Sequence, residues 1–110
     1  MPRRLDDQEI AHERTTLDGW FGGPYSMSRL VQTGSFNTVI AIVNQVAAVA
    51  EELDHHPDMD IRWRTVRFAV TTHSAGGLTD LDIALARRID AIVREARSGA
   101  EGQSATSPER

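Results

Sequence analysis

An apolar helical pattern that stops before a proline is the feature that most restricts the fold of this chain. From Phe36 to Ala50 the apolar residues recur every three or four positions, which predicts a helix with one wide buried face. Ser35 is placed to cap its first turn. Pro57 pushes the residue before it out of the helical region, so the helix is expected to end near Leu53. A loop that ends at Pro57 therefore follows the best-defined element directly.

The segments on either side of this helix predict an α+β domain. A helix and two short strands come before it, and a strand and a last helix come after it, which is typical of an antiparallel sheet with helices packed on one face. A further strand hidden just after Pro57 would make the sheet four-stranded. The first helix is predicted at Leu5–Thr15, and the strands at Trp20–Phe21, Tyr25–Val31, Asp58–Ile61 and Ile61–Thr72. The last helix is predicted to start at Thr79. Its buried stripe holds Leu81, Leu85, Ile89 and Ile92.

The strand predicted after Ile61 has two chemically different faces. Its side chains alternate, so every second residue lies on the same side of the sheet. One face is apolar and is expected to be buried, while the other is partly polar. The apolar face holds Val66, Phe68 and Val70, and the other face holds Trp63, Thr65, Arg67, Ala69 and Thr71.

Charge and composition narrow the classes of function. The formal net charge of −4 gives no general basic surface for phosphates, so direct nucleic-acid binding is not expected. The chain has no cysteine, which excludes disulfides, thiolate metal ligands and thiol nucleophiles. Neither a signal peptide nor a membrane span is predicted, and the expected location is the cytoplasm. Residues 98–110 are rich in Gly, Ser and charge, so we expect a disordered tail after a domain of residues 1–97.

Three of the four histidines fall close together and form the candidate site. His55 and His56 lie in the loop after the central helix, and His73 lies at the end of the following strand. Histidine side chains titrate nearest to neutral pH, so such a cluster can donate and accept protons in the cell. Two other interpretations stay open: solvated loop residues without function, and a zinc site in which three imidazoles leave one position for water.

Two further residues have both a structural and a functional interpretation. Asp82 either satisfies backbone amides in the first turn of the last helix or orients His73 by a hydrogen bond. Trp63 either packs on its strand or stacks on a flat heterocycle beside the histidines. The pair Gly76-Gly77 has neither a Walker lysine nor Rossmann spacing, so no nucleotide site is predicted.

The spacing of these residues resembles the pterin-4a-carbinolamine dehydratase family. The family pattern is an acid, a His-His-Pro unit, an aromatic residue, a further histidine and an aspartate. In this chain it reads Glu51, His55-His56-Pro57, Trp63, His73 and Asp82, and the resemblance covers about Phe36 to Val93. One departure is Met59, which stands two residues after the proline where many members carry a tryptophan.

The resemblance implies a four-stranded antiparallel sheet with helices on one face, assembled as a homodimer or homotetramer. It also implies a hydro-lyase, 4a-hydroxytetrahydrobiopterin dehydratase, which uses neither a metal nor another cofactor and recycles the pterin of aromatic amino acid hydroxylases. The alternative is a non-catalytic pterin-binding protein or a dimerisation cofactor in transcription on the same fold. The catalytic residues would be His55, His56 and His73, and the pterin would contact Asp54, His55, His56, Pro57, Trp63, Thr71, Thr72, His73, Ser74 and Asp82.

Overall fold

Three helices pack against a four-stranded antiparallel sheet with the strand order β1-β2-β4-β3, which confirms the predicted fold class. The structure, a computed structural model, describes the backbone of residues 2–106 and the side chains of residues 2–99. The elements are α1 Asp7–Arg14, β1 Trp20–Gly22, β2 Met27–Gln32, α2 Phe36–Leu53, β3 Asp58–Arg62, β4 Thr65–Val70 and α3 Asp80–Thr106, with a single 3₁₀ turn at His73–Ala75.

Caps encoded next to the helices fix where α1 and α2 begin and end. At the start of α1, the N–H of Glu9 donates to Asp6 at 2.8 Å and the N–H of Asp6 donates to Glu9 at 2.9 Å, a reciprocal capping box. At the start of α2, Oγ of Ser35 accepts from the N–H of Thr38 at 3.1 Å. α2 ends where Asp54 takes the left-handed conformation, with φ 50° and ψ 44°. α2 ends at Leu53 as predicted, and α1 lies within the predicted range of residues 5–15 but starts two residues later.

The segment after Pro57 is a hairpin, so the prediction of one strand over residues 61–72 was wrong. β3 and β4 pair directly, and Trp63 and Arg64 form the two-residue turn between them. Trp63 has a φ of 52°, a region that bulky residues seldom occupy, and neither glycine nor asparagine marks this turn in the sequence. The fourth strand expected after Pro57 is confirmed as β3.

The core lies between one face of the sheet and the helices α2 and α3. The predicted apolar face of β4 is buried in it, and apolar side chains from both helices close it on the other side. The opposite face of the sheet carries the exposed side chains of Leu30 on β2 and Arg67 on β4, which lie opposite each other. The fully buried residues include Val66, Phe68 and Val70 from β4, Val39, Ile42 and Val46 from α2, and Leu85 and Ile89 from α3.

α3 is longer than the sequence indicated. It continues to Thr106, so the change in composition at Ser98 does not coincide with the end of the helix. Once a helix exists, each added residue gains one hydrogen bond, which favours continuation through a stretch without proline. Residues 107–110 of the predicted tail lie outside the described residues. Within the described part of the chain, no helix combines the length and the apolar character needed to cross a membrane.

Candidate active site

A buried carboxylate in the first turn of α3 holds the side chain of His55. Oδ1 of Asp82 lies 2.6 Å from Nε2 of His55, and Asp82 is fully buried. An ionised carboxylate can only accept a hydrogen bond, so Nε2 carries the proton and donates it. Nδ1 of the neutral ring is then the nitrogen with a free electron pair. Asp82 therefore orients His55 rather than His73, which the second of its two interpretations from the sequence had named.

Two buried threonines complete the surroundings of Asp82. The hydroxyl of Thr72 donates to Oδ2 at 2.7 Å, and the backbone N–H of Thr79 donates to the same oxygen at 2.9 Å. The hydroxyl of Thr79 lies 2.8 Å from that of Thr72 and accepts from the N–H of Leu81. Among the described side chains, no buried nitrogen or oxygen lacks a partner. Asp82 thus satisfies a backbone amide at the start of α3, which was one of its two interpretations from the sequence, and the full set of hydrogen bonds rigidifies the network around it.

Thr72 also links this network to His73, the next residue in the chain. Its hydroxyl lies 3.5 Å from Nε2 of His55. Thr72 and Gly77 exchange backbone hydrogen bonds of 3.3 Å in both directions, which closes the loop that carries His73. Gly76 ends the 3₁₀ turn with a φ of 76°, a conformation that favours glycine. The end of α2 and the end of β4 therefore bring His55 and His73 to the same end of the sheet, and the side chain of His73 is exposed.

His56 has a different environment, at the surface beside the last turn of α2. Its Nε2 lies 2.5 Å from Oε2 of Glu51, and the two side chains are 56% and 77% exposed. Exposed pairs of this kind contribute little to stability because water screens them. The contact instead directs the imidazole ring, which remains accessible to a ligand.

The other residues expected to contact a pterin occupy three kinds of position. Asp54, which caps α2, and Ser74, in the 3₁₀ turn, are exposed near the histidines. Thr71 is half-buried, and its hydroxyl donates to the backbone carbonyl of Tyr25 at 2.6 Å. Pro57 is half-buried at the start of the hairpin. Thr72 and Asp82 are buried, so any effect of theirs on a ligand would pass through the histidines.

Trp63 is the one predicted contact residue that the structure separates from the rest. It lies in the turn between β3 and β4, whereas the histidines lie at the opposite, open end of this hairpin. Its side chain is 70% exposed, and the guanidinium of Arg64 lies 4.4 Å from the centre of its ring. The aromatic surface is therefore available, but it does not adjoin the histidine cluster.

A cavity of about 550 Å³ opens beside His73 on the outer face of the sheet. His55 and His56 are not part of its wall, so the cavity adjoins the histidine cluster on the side of His73. Its lining includes Tyr25, Asp58, Arg67, Ala69, Thr71 and His73.

Several of these lining residues were missed by the sequence analysis. The alternation of β4 placed Arg67 and Ala69 on the same face as Thr71, and this was the available signal. No local pattern connects Tyr25 with that face, because the contact arises only when β2 pairs with β4. The zinc site considered from the sequence has no counterpart, since among the described residues no three His, Asp or Glu side chains are grouped as metal ligands.

Comparison with known proteins identifies the family to which this chain belongs. The sequence profile of the family described as "Pterin 4 alpha carbinolamine dehydratase" matches residues 3–92. The chain belongs to the pterin-4-alpha-carbinolamine dehydratase family. Relatives from Nocardia farcinica and Roseiflexus sp. are both named "Putative pterin-4-alpha-carbinolamine dehydratase". The first is 52% identical over 90 residues, which is 82% of this chain and 95% of the relative. The second is 46% identical over 93 residues, which is 84% of this chain and 100% of the relative.

Two solved structures are similar to this family member. A crystal structure described as a transcriptional coactivator/pterin dehydratase from Brucella melitensis gives a TM-score of 0.79 at 35% identity, over 83% of this chain and 99% of that chain. A pterin dehydratase-like protein identified as a RuBisCO assembly factor in the alpha-carboxysome gives a TM-score of 0.56 at 24% identity, over 67% and 86% of the two chains. The second likeness shows the fold alone.

Met59, which departs from the family pattern, contributes to the packing of the core in this pterin-4-alpha-carbinolamine dehydratase family member. Met59 lies on β3 opposite Phe68, on the inner face of the sheet, and packs partly buried against the core. It is not part of the cavity wall. The methionine therefore acts on packing here, and the exposed aromatic surface beside His73 comes from Tyr25 instead.

Proposed function

We propose that this protein is a hydro-lyase that dehydrates 4a-hydroxytetrahydropterin to quinonoid dihydropterin. The observation that carries the proposal is the pairing of His55 with the buried Asp82. Thr72 contacts this pair and directly precedes the exposed His73, which lies beside a cavity of about 550 Å³. Membership of the family and the names of the relatives support a pterin as the substrate.

The proposed reaction needs only an acid and a base. The bond between C4a and its hydroxyl oxygen breaks, and the departing hydroxyl takes a proton and leaves as water. The proton on N5 passes to a base, and the electrons of the N–H bond form the new C4a=N5 double bond. Nothing is oxidised or reduced, and one water molecule accounts for all the atoms lost.

In this proposal His55 and His73 share the two proton transfers. Asp82 keeps the proton of the neutral His55 ring on Nε2, so Nδ1 is the basic nitrogen, and the carboxylate stabilises the imidazolium that forms when Nδ1 takes a proton. The exposed His73 would protonate the departing hydroxyl, and His56 would mainly bind and orient the pterin. Positioned acid–base groups contribute about 10²- to 10⁴-fold each, which is ample for a dehydration that also runs spontaneously.

Stopped-flow absorbance of 4a-hydroxytetrahydropterin decay tests the proposal. The wild type is compared with a His55→Ala, His73→Ala double variant and with His12→Ala, whose exposed histidine lies on α1 outside the site. Acceleration by the wild type and by His12→Ala that disappears in the double variant is the expected result. An unchanged rate in the double variant would contradict the assigned roles.

If the wild type does not accelerate the decay at all, the dehydratase proposal is wrong. A non-catalytic pterin-binding protein or a dimerisation cofactor in transcription would then be the better explanation, and co-purification of a defined partner would support it. With activity present, we propose that the protein works in the cytoplasm and returns pterin to aromatic amino acid hydroxylases. Loss of the regenerated pterin from cells that lack the protein would support that role.

An uncovered apolar stripe on α2 supports the proposal of a homodimer or homotetramer. Phe36 is 48% exposed, Ile40 and Val43 are half-buried, and Ala47 is exposed, at spacings of four, three and four residues. These spacings put the four side chains on one helix face, beside the face that enters the core. We propose a second copy of the chain as its partner. Ala47→Glu, on the exposed part of the stripe, should lower the mass measured by sedimentation equilibrium, whereas Gln45→Glu, on the exposed opposite side of α2, should leave it unchanged.

A further inference from the structure

An arginine in the cavity wall takes no part in the proton transfers proposed above. Arg67 lies in the middle of β4 on the outer face of the sheet and lines the cavity that adjoins His73. None of the ion pairs found among the described residues involves Arg67. Asp60 lies opposite Arg67 on β3, but its carboxylate is directed to Arg62, at 3.4 Å. The guanidinium of Arg67 is thus available to a ligand.

We propose that Arg67 determines specificity by binding the C6 substituent of the pterin, and that the site prefers a neutral substituent bearing hydroxyl groups. This inference takes the pterin as ligand from the proposed function. It adds a preference among pterins, which the acid–base chemistry of the histidines does not by itself provide.

The positions of His73 and Arg67 suit the two parts of such a ligand. In a pterin, C6 is bonded to N5, which is bonded to C4a, so the substituent begins beside the reacting atoms. Arg67 and Thr71 lie on the same face four residues apart, a separation of about 13 Å along a strand. The small side chain of Ala69 lies between them in the cavity wall. With the bicyclic ring at the His73 end, the substituent would extend over Ala69 towards Arg67.

The charges on this face favour hydroxyl groups over an anionic substituent. Arg67 offers several N–H donors in a fixed fork and cannot accept a hydrogen bond. Asp58, opposite Ala69 on the neighbouring strand, places a carboxylate in the cavity wall, whereas Asp60 is paired with Arg62 and does not line the cavity. A carboxylate or phosphate on the ligand would be repelled by Asp58. A hydroxyl group can accept from Arg67 and donate to Asp58, so a neutral hydroxylated chain satisfies both.

Equilibrium binding of unreactive oxidised pterins, followed by their fluorescence, tests this inference apart from turnover. The probes are biopterin, which has a dihydroxypropyl substituent at C6, 6-methylpterin and 6-carboxypterin. The proteins are wild type, Arg67→Ala, Arg67→Lys and the control Arg64→Ala, whose exposed arginine lies in the β3–β4 turn.

The wild type is expected to bind biopterin more tightly than either of the other probes. Arg67→Ala should weaken biopterin about tenfold, the size expected for a hydrogen bond to a charged group, and should leave 6-methylpterin unchanged. Arg67→Lys should lose less, and Arg64→Ala should lose nothing. Equal effects of Arg67→Ala on biopterin and 6-methylpterin, or tighter binding of 6-carboxypterin than of biopterin, would overturn the inference.

Turnover distinguishes this inference from the proposed function. A wild type that binds biopterin through Arg67 but does not accelerate dehydration would refute the enzyme and keep the specificity site. A wild type that accelerates dehydration, but whose binding of biopterin does not depend on Arg67, would refute the specificity site and keep the enzyme. A wild type that binds none of the three pterins would overturn both the pterin substrate and the role of Arg67.

Discussion

Nε2 of His55 donates a hydrogen bond to Oδ1 of Asp82 across 2.6 Å, and this contact joins the end of α2 to the first turn of α3. Asp82 is fully buried while the side chain of His55 is 11% exposed, so the pair leaves a small part of an oriented imidazole at the surface. The contact thus couples a structural feature, the satisfied start of α3, to the proposed chemistry of His55.

Replacing Asp82 by asparagine is expected to lower both the catalytic rate and the stability of the fold, and the two effects can be measured separately. The amide would have to direct its NH₂ group either at the N–H of His55 or at the two donors from Thr72 and Thr79. It therefore loses one hydrogen bond in the first orientation and up to two in the second. We expect kcat to fall by about 10²-fold or more and the free energy of unfolding to fall by about 1–3 kcal/mol. Steady-state kinetics and urea unfolding measure the two effects.

Asp90→Asn is a matched control on the same helix. Oδ1 of Asp90 accepts from Nε1 of Trp20 at 2.8 Å and from Arg29 at 2.6 Å, in a partly buried position away from the histidines. This variant should lose stability while its kcat stays close to that of the wild type. If Asp82→Asn and Asp90→Asn reduce kcat equally, the orienting role of Asp82 is refuted.

The boundaries of α1 and α2 could be predicted, within two residues, because their causes are local in the sequence. Ser35 and Asp6 each bond to a backbone N–H three residues further on, and Asp54 stands three residues before Pro57. The β3–β4 turn could not be predicted, since Trp63 adopts a left-handed conformation without the glycine or asparagine that usually marks it. The energy that holds Trp63 there comes from pairing along the whole hairpin, which no short pattern reveals.

The sequence indicated which histidines lie close together but not which contacts they make. The spacing of His55 and His73 indicated a cluster, and both do reach the same end of the sheet. The partner of Asp82 depends on how the end of α2 meets the start of α3, 27 residues apart in sequence, so choosing between the two histidines required the tertiary structure. Tyr25 enters the cavity wall for a similar reason, through pairing of β2 with β4.

Glu51→Gln should affect binding of the pterin more than its conversion. Glu51 accepts a hydrogen bond from the exposed His56, the histidine proposed to bind and orient the substrate. The exposed pair is worth at most about 1 kcal/mol, which limits the rise in KM to about fivefold, with kcat unchanged. Steady-state kinetics on the glutamine variant checks this. A large fall in kcat with an unchanged KM would instead assign His56 to proton transfer.

The stability of the fold in acid should depend on Glu9. Two hydrogen bonds from Arg3, and a third from the backbone N–H of Asp6, lower the pKa of Glu9 from 4.5 to about 2. A carboxyl group with a lowered pKa in the folded state adds stability that is complete above its unfolded pKa and is lost as the pH falls to the folded one. The stabilisation by Glu9 should therefore disappear between pH 4.5 and about 2.

Urea unfolding of the wild type and Glu9→Gln across this pH range measures the effect. The difference in unfolding free energy between the two proteins should be largest above pH 4.5 and should shrink towards pH 2. Added salt should reduce the difference, because both partners of the ion pair are exposed. A difference that stays constant through the range would show that Arg3 and Glu9 do not interact in solution.

Two similarly exposed aromatic residues can be used to test whether the pterin binds in the cavity beside His73 or at the far end of the hairpin. Tyr25 is 68% exposed and lines the cavity, whereas Trp63 is 70% exposed in the β3–β4 turn. Tyr25→Ala should raise KM for the pterin by about tenfold, since stacking on an aromatic ring is worth about 0.5–1.5 kcal/mol beyond the area it buries. Trp63→Gly should leave KM unchanged, although the family pattern has an aromatic residue at this position.

The stability of the Trp63→Gly variant shows whether a change in its KM reflects lost pterin binding or a damaged fold. Glycine removes the cost of about 1–2 kcal/mol for a left-handed non-glycine residue, while the lost contact with Arg64 is worth about 0.5–1 kcal/mol at an exposed site. The free energy of unfolding should therefore stay equal or rise slightly in urea unfolding. A raised KM in a Trp63→Gly protein of unchanged stability would mean that the pterin reaches the hairpin turn, and would contradict placement of the substrate at the His73 end.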